Sequence, residues 1–346
     1  MSPYAKLISM ISIMLGSVIT MSSNHWILAW TGLEINTLAI IPLISKHHHP
    51  RAVEASIKYF LVQASASALI LFSSMINAWA TGQWDITQMA NPTASILLTT
   101  AISMKLGLTP FHFWFPEVLQ GTSLPTALLL STVIKLPPLT LLILISPSLN
   151  PTLLTTLAIA STAVGGWMGL NQTQIRKTMA FSSISHLGWM AAITIYDPKL
   201  TILTFCLYVL MTVPVFLSLN MTKTTKLSTL LISWTKSPAI NASLMLILLS
   251  MAGLPPLSGF LPKWMILQEL TIQEMTPLAI IISMLSLLGL FFYLRLAYHA
   301  TITLPPSTSN HMKTWSTNKP ADPFTAALTS LSITILPLSP MIIPML

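Results

Sequence analysis

The sequence predicts an all-α protein threaded many times through a membrane, and three observations carry that prediction. Apolar runs of about 18 residues or more recur along the whole chain, each long enough for a helix to cross a bilayer. Charged residues make up only 7% of the 346, whereas an ordinary soluble domain carries about a quarter. The charge that remains gathers mostly in short stretches between the runs, and the mean hydropathy is +0.75.

The runs, each of roughly 20 residues and bounded by polar residues or by Pro and Gly, lie near 3–21, 25–45, 53–80, 93–118, 123–146, 149–171, 176–196, 199–221, 238–269, 276–300 and 323–345. That makes about eleven transmembrane helices. If successive loops alternate sides, Lys46, Arg51, Arg176, Lys177, Lys223, Lys226, Lys236, Lys313 and Lys319 collect on one side. Lys199 collects on the other with Asp85, Asp197 and Glu274. A miscounted helix would scramble this separation. By the positive-inside rule the N-terminus faces the compartment of synthesis and the C-terminus lies opposite. The net charge of +8 is therefore a topology signal, and no nucleic-acid patch is implied. The single cysteine, Cys206, lies in an apolar run, which excludes an internal disulfide and a cysteine-bound metal or iron–sulfur centre.

Met1 leads straight into an apolar run, with neither a cleavable leader nor an Arg-rich transit segment. The expectation is a chain inserted where it is made, in a bacterial membrane or inside an organelle, and the 20 methionines lean toward an organelle.

Two spans carry helix breakers at membrane depth. The fourth holds Thr109-Pro110-Phe111-His112-Phe113-Trp114-Phe115-Pro116, and the ninth holds Gly253-Leu254-Pro255-Pro256-Leu257-Ser258-Gly259. Separated by about five spans, the breaks predict two inverted repeats of about five helices each, with a broken helix at the corresponding place in both. The repeats would be 1–148, broken near 109–116, and 149–300, broken near 253–259. A polar loop and C-terminal transmembrane helix fill 301–346. Ordinary proline kinks are the structural alternative.

Four charged side chains sit near the middle of stretches that otherwise read as spans: Glu34, Lys105, Lys135 and Lys263. Lys105 lies 13 residues past Pro92, which puts it ~20 Å along its helix and near the bilayer midplane. Lys135 is 11 residues past Leu124 and just before Pro137-Pro138, and Lys263 follows the second break. Each central charge costs about 2.5 to 3.5 kcal/mol to insert, and Lys105 and Lys135 are too deep to snorkel out. Lysine suits proton transfer because its proton affinity falls on burial, whereas arginine stays charged. Two such groups about 8 Å apart, at an effective dielectric near 20, change each other's energy by ~2 kcal/mol per proton. A fixed ion pair with Glu34 is the alternative.

His112 and His186 are further polar groups within spans. A neutral imidazole takes a proton on one nitrogen and gives one from the other, although each also reads as a packing histidine. Hydroxyl neighbours in Ser182-Ser183-Ile184-Ser185-His186-Leu187-Gly188 favour ordered water at His186. The His47-His48-His49 tract reads as a loop more than a metal site. Glu54 and Lys58, spaced i, i+4 at a helix start, read as a local pair.

The string from Met104 to Glu117 resembles the broken-helix signature of the antiporter-like subunits of respiratory complex I. Together with Trp30-Thr31-Gly32-Leu33-Glu34, the stretch from Ser182 to Gly188 and the segment from Gly253 to Lys263, the chain is similar over its whole length to the subunit 2 family of animal mitochondrial NADH dehydrogenase. Bacterial relatives carry additional N-terminal helices, so the shorter count fits the animal form. The resemblance implies a proton-translocating module in the membrane arm of an NADH:ubiquinone oxidoreductase, in the mitochondrial inner membrane. Its N-terminus would face the matrix and its C-terminus the intermembrane space. It implies Glu34 as the coupling glutamate, Lys105 as its paired lysine, Lys135 as the connecting lysine and Lys263 as the exit-side lysine, with His186 as a bridge. Relatives often carry glutamate at the last of these positions or histidine at the third, which leaves open which residue releases the proton. NADH, FMN, iron–sulfur clusters and ubiquinone would belong to other subunits, with no cofactor in this chain. Its partners would be other membrane-arm subunits, neighbouring antiporter-like ones among them, and lipids such as cardiolipin.

Two other readings use the same residues. A stand-alone cation/proton antiporter shares the broken helices and lysines. A structural spacer uses its charges only to lock neighbouring subunits, with no proton crossing.

Overall fold

The computed structural model describes residues 3–46, 49–234, 237–302 and 323–339, and it is helical almost throughout. The helices are α1 Pro3–Ser22, α2 Trp26–Ile44, α3 Pro50–Thr81, α4 Pro92–Leu106, α5 Trp114–Gly121, α6 Leu124–Ser131, α7 Leu136–Ile145, α8 Pro151–Gly169, α9 Ile175–Ile193, α10 Pro198–Thr222, α11 Leu227–Ser233, α12 Pro238–Ala252, α13 Phe260–Ile272, α14 Thr276–Ile302 and α15 Pro323–Thr334. Seven segments among the described residues are long and apolar enough to cross a membrane. The expected charges Lys236, Lys313 and Lys319, the histidines His47 and His48, most of the 301–346 segment and the end of the last expected span lie outside the described residues.

Sequence chemistry sets the helix starts. Proline opens α3, α4, α8 and α12, where its missing N–H is not needed and its fixed φ already suits the helix. Asn91 caps α4 by accepting from Thr93 N at 3.1 Å, and Asn150 accepts in the same way from Thr152 N at 3.2 Å. Hydroxyls inside the apolar helices are satisfied within their own turn. Ser73 Oγ donates to Ile70 O at 2.8 Å and Ser183 Oγ to Ala180 O at 2.7 Å. Such back-bonding lets a polar residue sit in hydrocarbon at little cost. On α1 the side chains of Leu7, Ile8, Ile11, Met14 and Val18 are exposed, an apolar exterior that a membrane or a partner would cover.

The chain divides into two compact units, Met1–Ser161 with Met190–Pro198, and Thr162–Trp189 with Lys199–Leu346. In the first, α3 is central and packs against α2, α4 and α5, while α4 also packs on α7. The loop after α3 is pinned to the start of α2, with Trp26 N donating to Trp84 O at 3.1 Å and Ile86 N to Asn24 O at 3.0 Å. The second unit has a pin of the same kind, where Ile175 N donates to Thr225 O at 3.2 Å and Leu227 N to Thr173 O at 3.1 Å.

Each unit holds one broken helix. Pro92, Gly107, Pro110 and Pro116 recur at Pro238, Gly253, Pro256 and Pro262, a constant offset of 146 residues. Gly107 (φ +78°) and Gly253 (φ +85°) end α4 and α12 in the left-handed conformation that glycine alone adopts without strain. The second break spans 253–259. The first begins earlier than expected, at Gly107, because the left-handed glycine stops the helix before Pro110 is reached. It also ends earlier, since Pro116 falls in the first turn of α5, where proline is tolerated. The fifth span is interrupted too: a 3-10 turn, Val133–Lys135, separates α6 from α7, just ahead of Pro137 and Pro138.

Candidate functional site

In the first unit, Glu34 lies midway along α2 and is half-buried. Its carboxylate accepts from Thr37 Oγ1 at 3.0 Å. Lys105 lies in the last turn of α4 and is 4% exposed. Its Nζ is buried and makes no hydrogen bond to a described residue. Glu34 acts on Lys105 electrostatically without a direct ion pair between them. The fixed pair considered from sequence is thus not the arrangement present. Lys105 belongs to the last turn of α4, the negative end of the helix dipole, a position worth about 0.3 to 2 kcal/mol to a cation.

The surroundings of Lys105 come from two directions. Gln63 on α3 donates Nε2 to Lys105 O at 3.4 Å, and Trp114 at the start of α5 donates Nε1 to Met104 O at 3.2 Å. The second half of the broken helix is therefore tied to the end of the first. Lys135 is 3% exposed, and its Nζ stands 4.2 Å from the centroid of the Phe115 ring. That cation–π contact places the ammonium on the next residue of α5. His112 is buried within the break, its ring 4.2 Å from that of Phe113, and its Nδ1 makes no hydrogen bond to a described residue.

In the second unit, Lys263 on α13 is half-buried, and its Nζ donates to Ala252 O, the last residue of α12, at 2.7 Å. An ammonium thus meets the carboxyl end of the first half-helix in this unit. Lys105 belongs to the last turn of its half-helix, whereas Lys263 reaches back from the far side of the break. His186 on α9 packs against Tyr208, ring centroids 5.5 Å apart. Lys263, His186, Ser185, Ser286 and Tyr293 line one small cavity of about 20 Å³, room for about one water molecule with polar partners on its walls.

Of the sequence-predicted residues, Glu34, Lys105, His112 and Lys135 fall in the first unit, and His186 and Lys263 in the second. Sequence reasoning passed over Tyr59, Gln63, Phe115 and Tyr293. A signal for the first two existed: Ser56, Tyr59, Gln63 and Ser67 form a polar stripe at helical spacing on an apolar helix, and all are buried. The local pair read at Glu54 and Lys58 is wider than expected. Lys58 Nζ bonds Glu54 at 2.5 Å and also Glu117 on α5 at 2.6 Å, so this exposed bridge joins α3 to the second half of the broken helix. His49 caps α3 by accepting from Arg51 N on Nδ1 at 3.3 Å.

Residues 23–289 match the family described as NADH:quinone oxidoreductase/Mrp antiporter, TM, and residues 290–343 match NADH dehydrogenase subunit 2 C-terminus. Among curated relatives, the NADH-ubiquinone oxidoreductase chain 2 of Struthio camelus is 74% identical over 343 residues, 99% of each chain. That of Gallus gallus is 73% identical over the full length of both. Among solved structures, a chain of respiratory complex I from Thermus thermophilus with bound Aureothin superposes with a TM-score of 0.88 at 26% identity, over 99% of this chain and 80% of that one. A chain of the membrane-bound sulfane sulfur reductase, an archaeal respiratory membrane complex, shares the fold with a TM-score of 0.82 at 17% identity, over 96% of this chain and 73% of that one. A polytopic helical chain with two broken helices and lysines at their ends, matched along its length by these relatives, belongs to the NADH-ubiquinone oxidoreductase chain 2 family of antiporter-like complex I membrane subunits.

Proposed function

We propose that this chain moves protons across the mitochondrial inner membrane as a membrane-arm subunit of respiratory complex I, driven by NADH:ubiquinone electron transfer in other subunits. One observation carries the reading. Lys105 holds a buried amine at the end of the first half of a broken helix, with no hydrogen bond to a described residue to fix it and with the Glu34 carboxylate in electrostatic reach. A cation kept only for architecture is normally paired, whereas a group that gains and loses a proton benefits from a tunable neighbour.

The proposed order begins with a charge change at Glu34, which alters the proton affinity of Lys105. Lys135 on the Phe115 ring receives the next proton. In the second unit His186 and Lys263 exchange through a water in their shared cavity, and His112 serves the first break. Lys263 is then poised between the Ala252 carbonyl, which favours its ammonium form, and that water. Each proton moved against 100 mV needs ~2.3 kcal/mol. NADH, FMN, iron–sulfur clusters and ubiquinone belong, in this reading, to other subunits, so the energy reaches this chain through protein contacts.

The constant 146-residue offset of the breakers and the similar loop pins support two inverted repeats, 1–148 and 149–300, with 301–346 as an appended C-terminal segment. The distribution of loop charge supports a matrix-side N-terminus and a C-terminus in the intermembrane space. The exposed apolar face of α1 suits neighbouring membrane-arm subunits or lipids, cardiolipin included.

Substituting arginine tests whether Lys105 titrates. Lys105→Arg keeps the charge and cannot release it at any accessible pH. Proton translocation per assembled complex should fall at least tenfold, measured in sealed vesicles oxidising NADH. Wild-type pumping by Lys105→Arg would make Lys105 a structural cation and favour the spacer reading.

A further inference from the structure

Tyr59 lies on α3 and is fully buried, and its hydroxyl makes no hydrogen bond to any described residue. A buried phenol ordinarily finds a partner, so an orphaned one is a polar group waiting on something that passes. The ring itself is firmly held. It stands edge-on to Trp114, centroids 5.7 Å apart, and Trp114 Nε1 donates to Met104 O at 3.2 Å. One turn further along the same face of α3, Gln63 Nε2 donates to Lys105 O at 3.4 Å. Two rungs of α3 therefore connect to the last turn of α4, the turn that carries Lys105: Gln63 directly and Tyr59 through Trp114. The Glu34 carboxylate acts electrostatically on both Tyr59 and Lys105. Glu34, Tyr59 and Lys105 thus lie on three consecutive helices, α2, α3 and α4, that pack in that order.

We infer that Tyr59 is a proton-relay hydroxyl between Glu34 and Lys105. The inference rests on the proton-translocating reading and adds a residue to it. A hydroxyl suits the task because one oxygen both donates and accepts. In the transfer, an N–H bond of the Lys105 ammonium breaks as an O–H bond forms on the phenolic oxygen, directly or across one water. The original phenolic O–H breaks as its proton bonds to the Glu34 carboxylate. Ammonium becomes amine, carboxylate becomes carboxylic acid, the phenol is regenerated and no electron moves. The reverse transfer resets the site.

The test compares Tyr59→Phe, Glu34→Gln and the double variant in the assembled enzyme, with NADH-driven proton translocation measured in sealed vesicles and expressed per assembled complex on native gels. Phenylalanine keeps the ring against Trp114 and removes only the hydroxyl, and the normalisation separates transfer from any loss of assembly. Tyr59→Phe should slow translocation about threefold or more, and the double variant should be no slower than Glu34→Gln alone, because the relay has already lost its acceptor. Wild-type rates for Tyr59→Phe beside a slow Glu34→Gln would overturn the relay and leave the pump standing, as would losses that multiply in the double variant. Wild-type rates for both single variants would overturn the relay and the proton reading of Glu34 together.

Discussion

Lys135 shows how an aromatic ring can help hold a charge in hydrocarbon. Its ammonium rests 4.2 Å from the Phe115 ring centroid, and a desolvated cation–π contact of this kind contributes up to about 2 kcal/mol to the charged form. Replacing Phe115 by leucine removes the ring face and leaves an apolar side chain of similar reach. Proton translocation per assembled complex should then fall severalfold, while Phe115→Trp, which offers a stronger face, should stay close to wild type; equal losses in both variants would point to packing and not to the ring. Lys135 was legible as a buried charge from its depth in an apolar run. Phe115 was not, because its contact crosses from α5 to the 3-10 turn between α6 and α7, and nothing in a Phe-rich string marks which ring meets a cation.

The broken helices were the most legible elements, because Pro and Gly at membrane depth leave backbone groups that only protein or water can satisfy. The start of the first break was less so: Pro110 is the louder signal, yet the left-handed Gly107 acts before it. The two capping glycines also differ in a way only coordinates reveal. A Cβ on Gly107 would meet nothing closer than 3.5 Å, whereas one on Gly253 would lie 2.8 Å from Lys263 Nζ. Gly107→Ala should therefore cost only the left-handed strain, about 1 to 2 kcal/mol. Gly253→Ala adds displacement of Lys263 from the Ala252 carbonyl. Both variants should lower the thermal stability of the assembled complex, but only Gly253→Ala should also depress pumping per complex. Comparable pumping by the two would detach Lys263 from its carbonyl anchor as a functional feature. The Lys58 bridge illustrates what sequence hides at this scale, since Glu54 is one turn away but Glu117 is 59 residues off.

For the whole molecule, composition alone announced the membrane: 7% charge and 53% hydrophobic residues leave no soluble surface. The fold class and the candidate lysines were readable because an uncompensated charge in hydrocarbon is costly and therefore conspicuous. The polar atoms that surround those charges were not, since phenol, amide and indole groups on apolar helices look like packing until their partners are known. The central claim is that Lys105 exchanges a proton with its neighbours and that this exchange is coupled to electron transfer elsewhere. The most direct measurement is the number of protons translocated per electron by assembled complex carrying Lys105→Ala, in sealed vesicles oxidising NADH. Loss of the Lys105 amine should lower this ratio below that of the wild-type complex; an unchanged ratio in fully assembled enzyme would mean that Lys105 takes no part in proton transfer.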